Sequence, residues 1–209
     1  NYYDPASTEE AARLMLKVAD KYRGDNNFEY DLVDIVRQAI ADHARMVYNR
    51  TVADFKSFDK KDFNQDSQKF LSLLLLQDKL LGSRKEFRVG TCIQSARNLG
   101  AIPEEKKLYE WNARVQITTW GNRAAAIDGG LREYAHKEWN GVLRDFYYPR
   151  WRAYWSMLSD VMNGKPMKKL DYYAMAEPWV TAHNKYTSTP EGSPVDVAKD
   201  MFVKAFEAY

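Results

Sequence analysis

Apolar residues recur every three to four positions along most of this chain, and the punctuation between the runs is that of helices. "STEEAARLMLKVADKYRG" sets Leu14, Leu16 and Val18 behind Ser7 and Glu10 at capping-box spacing, and stops at Gly24. In "YDLVDIVRQAIADHARMVYNRTVADF", Leu32, Ile35, Val36, Ala39, Ile40, Ala44, Val47 and Val52 keep the helical period. "DFNQDSQKFLSLLLLQDKLLG" follows, with Gly82 in the position after a helix where a left-handed glycine is favoured. Ser83 and Glu86 repeat the capping box and predict a helix towards Gly100. Pro103 opens the next helix, with Glu104 and Glu105 in the first turn, where the helix dipole favours negative charge. That helix is expected to run to Trp120-Gly121.

Beyond "NRAAAIDGG", a helical pattern extends from Leu131 to Met162 and meets Pro149, which either kinks it or starts a new helix. Asp171 is placed to cap "YYAMAEPWVTAHNKY", which carries Pro178 as a second kink or break. Ser193-Pro194 is a cap followed by proline at the first helical position. No strand alternation and no internal repeat interrupts the pattern. The expectation is an all-α fold, a bundle of about seven to nine helices with short connections, forming one domain over residues 1–209.

Composition narrows the field. Of 209 residues, 45% are hydrophobic and 29% charged, the profile of a globular protein with a sizeable core. Aromatic content is high, with 6 Trp and 14 Tyr, which points to large buried surfaces or to sugar-stacking walls. The net charge of +2 comes from 31 basic and 29 acidic residues that are well mixed, so no nucleic-acid partner is expected. Cys92 stands alone, and His43, His136 and His183 lie far apart, so neither a disulfide nor a metal or cofactor site is expected. No apolar run approaches ~20 residues, so no membrane partner is expected. The start "NYYDPASTEE" is not a signal peptide and reads as a chain entered mid-protein. Asn49-Arg50-Thr51 is a formal glycosylation sequon, but it lies inside a helical pattern, where chance composition is the favoured reading.

Two segments carry candidate chemistry. On a helix at ~100° per residue, "LYEWNARVQITTWG" brings Tyr109, Asn112, Gln116 and Trp120 into a sector of roughly 80°. Leu108, Trp111 and Val115 form the adjacent apolar sector, read as a core stripe. Amides donate and accept at once and so suit hydroxyl and acetamido groups, while a Trp ring offers a flat wall to the C–H face of a sugar. The alternative is a buried polar network with the rings as core. In "DFYYPRWRAYWSML", Trp151, Tyr154, Trp155 and Leu158 have the spacing of a buried helix face, and Arg150 and Arg152 invite cation–π or carboxylate pairing. Glycoside hydrolysis needs two carboxylates ~5–9 Å apart. No local motif singles out such a pair among the 29 acids, and no nucleophile elbow, P-loop or dinucleotide fingerprint is present. Taken alone, the chain does not read as catalytic.

Five segments in order, "FEYDLVDIVRQAIADHA", "LLGSRKEFRVGTCIQSARNLG", "LYEWNARVQITTWG", "YAHKEWNGVLRDFYYPRW" and "VDVAKDMFVKAF", resemble the C-terminal helical domain of family 89 glycoside hydrolases, the α-N-acetylglucosaminidases. The similarity runs from Phe28 to Phe206, and "NARVQITTWG" and "YYPRW" are its most specific parts. The resemblance implies a larger exo-acting enzyme with a small N-terminal domain and a (β/α)8-type barrel as partners in the same polypeptide. It implies retaining release of terminal α-linked N-acetylglucosamine by two barrel glutamates, neither of them in this chain. It also implies that the helical domain begins upstream of Asn1, and that the compartment is secreted, periplasmic or lysosomal. The family's Leu-Trp-Gly motif helps to wall the sugar pocket, and its Trp matches Trp120. Tyr109, Asn112 and Gln116 share that helix face and are expected at the pocket or just behind it, with Leu131 at the rim. The match departs at Thr119-Trp120-Gly121-Asn122, where the family often reads Leu-Trp-Gly-Pro, at His136, where Asn is common, and in the longer loop "NRAAAIDGG". A non-catalytic helical module that binds glycan or protein is the rival reading, and a purely structural scaffold the third.

Overall fold

A computed structural model describes residues 3–124, 133–183 and 185–207. Among these residues there are eight α-helices and no strand: α1 Pro5–Val18, α2 Asn26–Ser57, α3 Lys60–Leu81, α4 Val89–Asn98, α5 Pro103–Ile117, α6 Tyr148–Met162, α7 Tyr172–Thr181 and α8 Pro194–Phe206. The all-α bundle expected from the hydrophobic pattern is the fold observed. No described helix is long and apolar enough to cross a membrane.

Helices α2 and α3 form the central antiparallel pair, with α1, α6 and α8 packed around them. The stripe read from the sequence is the one that faces inward: Leu32, Val36, Ala39, Ile40, Ala44 and Val47 are buried, and Ile35 and Val52 are partly so. Phe63, Phe70, Leu73, Leu80, Leu81, Trp155, Leu158 and Met201 complete this main core. A second, smaller core joins α4, α5 and α7 through Val89, Ile93, Ile117, Phe146, Ala176, Trp179 and Val180. Trp139 and Tyr147 pack against both.

Several starts and stops were misplaced by sequence. Helix α1 is capped by Asp4, whose side chain accepts from Ala6 N, with Pro5 behind it, so Ser7 and Glu10 are already helical. Leu14 and Val18 face solvent, while Thr8 and Ala12 are buried. Ser83 and Glu86 do not form a capping box either. The Ser83 hydroxyl donates to Leu80 O at 2.7 Å, Glu86 pairs with Arg84, and α4 starts only at Val89. Gly82 has an ordinary right-handed backbone, φ −62°. Its value is its size, because a Cβ there would meet Asn140 Nδ2 at 3.1 Å and Lys79 O at 3.2 Å. Thr51 is fully buried and its hydroxyl donates to Val47 O at 2.9 Å, which fits the reading of the sequon as chance.

Pro103, Asp171 and Ser193-Pro194 do open α5, α7 and α8 as expected, and Pro178 stays inside α7. At Pro149 the chain neither breaks nor runs on as a plain α-helix. A π-helical turn, Leu143–Tyr147, leads directly into α6, and Tyr148 N donates to Leu143 O. Proline has no N–H for the carbonyl four residues back, so a wider turn just before it fits the missing bond. The predicted helix from Leu131 is not observed, since residues 133–139 are irregular and Leu131 lies outside the described residues.

Buried polar groups pin this corner. Asp78 of α3 accepts from Gly141 N at 2.7 Å, Arg144 N at 3.1 Å and Asn140 Nδ2 at 2.9 Å. It therefore acts as the cap of the π turn from a distant helix. Arg88 is nearly buried and donates to Gly82 O, Thr187 O and Glu191, which ties the segment before α8 to the end of α3.

Candidate functional site

Helix α5 turns one ion pair, Glu110 and Arg114, inward. Arg114 is fully buried, and its Nε and NH2 donate to Glu110 Oε1 at 3.1 and 2.8 Å. Arg97 NH1 reaches Glu110 Oε2 at 2.6 Å, and Arg114 NH1 donates to Trp179 O at 3.1 Å. The Arg114 guanidinium also lies over the Trp179 and Tyr186 rings, at 4.7 and 5.4 Å. A paired carboxylate with several donors offsets much of the desolvation cost of burying both ions. Tyr186 extends the same network: it accepts from Trp179 Nε1 at 3.0 Å and donates to Asp145 at 2.8 Å. Burial, followed by the Asp145 contact, pushes the Tyr186 phenol up to about 12, so it stays a neutral donor.

The apolar sector of α5 is consequently not a core stripe. Leu108 is 52% exposed and Trp111 41%, with Val115 between buried and exposed. This corrects the sequence reading. Periodicity shows that a helix has two faces, but an ion-pair network has taken the inner one.

Trp120 departs from its predicted place in another way. Helix α5 ends at Ile117, three residues before it, so Trp120 does not share a helix face with Tyr109, Asn112 and Gln116. Those three lie on the outer side of α5, Tyr109 and Asn112 half-buried and Gln116 exposed, which argues against a sealed polar network. The chain turns back at Thr118, and Trp120 N donates to Val115 O at 2.8 Å with Trp120 in the left-handed region, φ 60°. An indole at such a position is unusual, because an L side chain there crowds its own carbonyl.

The ring is 41% exposed and lies against Tyr134, itself 69% exposed, with centroids 5.7 Å apart. Sequence reasoning missed Tyr134, since it sits in an irregular segment whose partner is fixed only by the fold. Glu133 N donates to Thr118 O at 2.8 Å, which stitches the two turns together. Glu133 and His136 also have positive φ, at 59° and 41°. Of the four non-glycine residues with positive φ among the described residues, three therefore lie in this corner. Such strain persists where surrounding structure holds it, and it gathers at functional sites. Leu131, expected at the rim, lies outside the described residues.

The second aromatic segment is divided between two roles. Trp155 and Leu158 are core, as expected, while Trp151 and Tyr154 are partly open. Both arginines meet rings: Arg152 lies 5.9 Å from the Tyr148 centroid, and Arg150 sits between Phe146 and Tyr172 at 4.7 and 5.1 Å. Arg150 also pairs with Glu133.

The Trp120 and Tyr134 rings thus form an outward aromatic pair beyond the end of α5. Residues 1–204 match the family model described as Alpha-N-acetylglucosaminidase (NAGLU) C-terminal domain, and the chain belongs to that family. It is 29% identical to human alpha-N-acetylglucosaminidase over 211 residues, which is 98% of this chain and 28% of the relative. Among solved structures it is similar to a family 89 glycoside hydrolase from Clostridium perfringens in complex with 2-acetamido-1,2-dideoxynojirmycin. There the TM-score is 0.91 and the identity 30%, covering 99% of this chain and 24% of that one. A structure of the C. perfringens enzyme with its substrate GlcNAc-alpha-1,4-galactose gives a TM-score of 0.89 and 31% identity over 94% of this chain and 23% of that one. The chain thus spans about a quarter of the length of the relatives it matches.

Proposed function

We propose that this chain, residues 1–209 acting as one domain, completes the sugar pocket of an exo-acting α-N-acetylglucosaminidase and supports its catalytic barrel. Retaining hydrolysis then takes place on two carboxylates carried elsewhere in the polypeptide, as the family resemblance implies. The single observation behind this reading is the outward Trp120 ring, its backbone N–H bonded to Val115 O and the ring paired with Tyr134. Its role is to stack on a pyranose face and exclude water from the bond being broken. Tyr109, Asn112 and Gln116, on the outer side of α5, are assigned to the same pocket, and the exposed Leu108 and Trp111 to contact with the rest of the polypeptide. A secreted, periplasmic or lysosomal setting follows from this reading alone.

The same reading makes the purified chain inactive by itself. Aryl α-N-acetylglucosaminide is expected to be turned over by the longer polypeptide and to stay intact with this chain at equal concentration. Turnover by the rigorously purified chain would overturn the assignment of the catalytic groups to the barrel.

A further inference from the structure

Arg150 stands in the first turn of α6, only 9% exposed, with its guanidinium between the Phe146 and Tyr172 rings at 4.7 and 5.1 Å. Among the described residues its carboxylate partner is Glu133, to which NH2 donates. A guanidinium so enclosed has lost most of its hydration, and the opposite charge of Glu133 offsets part of that cost. The pair therefore favours the conformation in which Glu133 lies against α6. It does so for a backbone with an opposite preference, because Glu133 has φ 59°, where an L side chain crowds its own carbonyl.

Both rings of the outward pair depend on where Glu133 sits. Glu133 N donates to Thr118 O at 2.8 Å, and Thr118 is fully buried, so the turn leading to Trp120 is tied to this residue. Tyr134 follows Glu133 directly and meets Trp120 with centroids 5.7 Å apart. Neither ring belongs to the main core or to the smaller one. Close packing does not orient them, so their orientation comes from the two backbone turns that carry them. Farther along the segment, Glu138 accepts from Arg37 and Gln77 at 2.8 Å each, which anchors its other end to α2 and α3.

We propose that Glu133 and Arg150 are positioning residues for the sugar wall. The ion pair holds Glu133, Glu133 holds the Thr118 turn and Tyr134, and these set the Trp120 ring. Neither charged side chain contacts the sugar in this arrangement. The proposal rests on the reading that Trp120 walls the pocket.

The test uses the longer polypeptide. Glu133→Gln keeps the shape and removes the charge, while Arg150→Lys keeps the charge and gives up the planar group that fits between two rings. Glu138→Gln breaks a different ion pair of the same segment and controls for a general loss of packing. For each variant, kcat/KM on an aryl α-N-acetylglucosaminide is measured in the parent and in a Trp120→Gly background. Hydrogen exchange is read at residues 117–121 and 133–136, and a melting curve confirms that each variant is folded.

Glu133→Gln and Arg150→Lys are each expected to speed exchange in both segments about tenfold. They are expected to lower kcat/KM about fivefold or more, against less than about twofold for Glu138→Gln. In the Trp120→Gly background the further loss from Glu133→Gln is expected to be under about twofold, since residues that act through one another are not additive. Glu133 is partly exposed, so Glu133→Gln decides the matter even where Arg150→Lys fails to fold.

The proposal is overturned if Glu133→Gln leaves exchange at 117–121 unchanged, or if it leaves kcat/KM unchanged while Trp120→Gly lowers it. It is also overturned if Glu138→Gln lowers kcat/KM as far, or if Glu133→Gln costs as much without the Trp120 ring as with it. Parental kcat/KM in Trp120→Gly overturns the pocket-wall reading itself, and this proposal with it.

Discussion

Glu110 and Arg114 show how much one pair of side chains decides. They are one helical turn apart and almost wholly buried, and they fix which face of α5 looks inward. Breaking a buried ion pair by replacing one partner typically costs ~3–5 kcal/mol. Glu110→Leu is therefore expected to lower stability by about that amount in denaturant unfolding. Glu110→Leu combined with Arg114→Met, which removes both charges, is expected to regain most of the loss. If the single change costs under ~1 kcal/mol, the network does not hold the helix. The pair was not legible beforehand, because a Glu and an Arg four residues apart usually form a solvated surface contact. Only the arrival of Arg97, Trp179 and Tyr186 from other elements makes the site an interior one.

At the scale of elements, Gly24 before α2 and Gly141 before the π turn show two uses of glycine. Gly24 has φ +86° with no atom within 4 Å of an added Cβ, whereas Gly141 has φ +89° with Val89 Cγ1 at 2.8 Å and Tyr186 Cε1 at 2.9 Å. Gly24→Ala is expected to cost ~1 kcal/mol from the left-handed backbone alone. Gly141→Ala carries the same strain plus a clash with two packed side chains, so a loss of at least ~2–3 kcal/mol is expected. Thermal unfolding of the two variants side by side checks the difference, and equal losses would mean that the corner yields easily. Helix number and the starts of α5, α7 and α8 were readable because proline and capping residues act locally, as Pro103, Asp171 and Ser193 do. Ser7 and Ser83 misled for the same reason, since the spacing was right but Asp4 and Leu80 O took the hydrogen bonds. The π turn depends on Asp78, more than sixty residues away in sequence, and local pattern contains no sign of it.

For the whole molecule, the apolar outer face of α5 is exposed among the described residues. Leu99, Ile102, Leu108 and Trp111 are all exposed, on α5 and the turn that leads into it. Exposed apolar residues gathered along one element mark a contact with another protein surface. The isolated chain is expected to self-associate in a concentration-dependent way, and Leu108→Glu with Trp111→Glu is expected to return it to monomer without unfolding. Sedimentation velocity on both forms reads this, and a parent that stays monomeric at high concentration would argue against a covered face. The candidate wall was half legible at this scale. Trp120 was found through the family resemblance and lies at the surface, but its partner Tyr134 and its place beyond the helix end came from the fold.

The central claim is that Trp120 serves a sugar site rather than the stability of the bundle. Trp120→Gly in the longer polypeptide isolates the two roles, because glycine relieves the left-handed backbone while removing the ring. The measurement is kcat/KM on an aryl α-N-acetylglucosaminide beside the melting temperature. The account predicts at least about a tenfold fall in kcat/KM with stability changed by no more than ~1 kcal/mol. Unchanged kcat/KM together with a large loss of stability would contradict it.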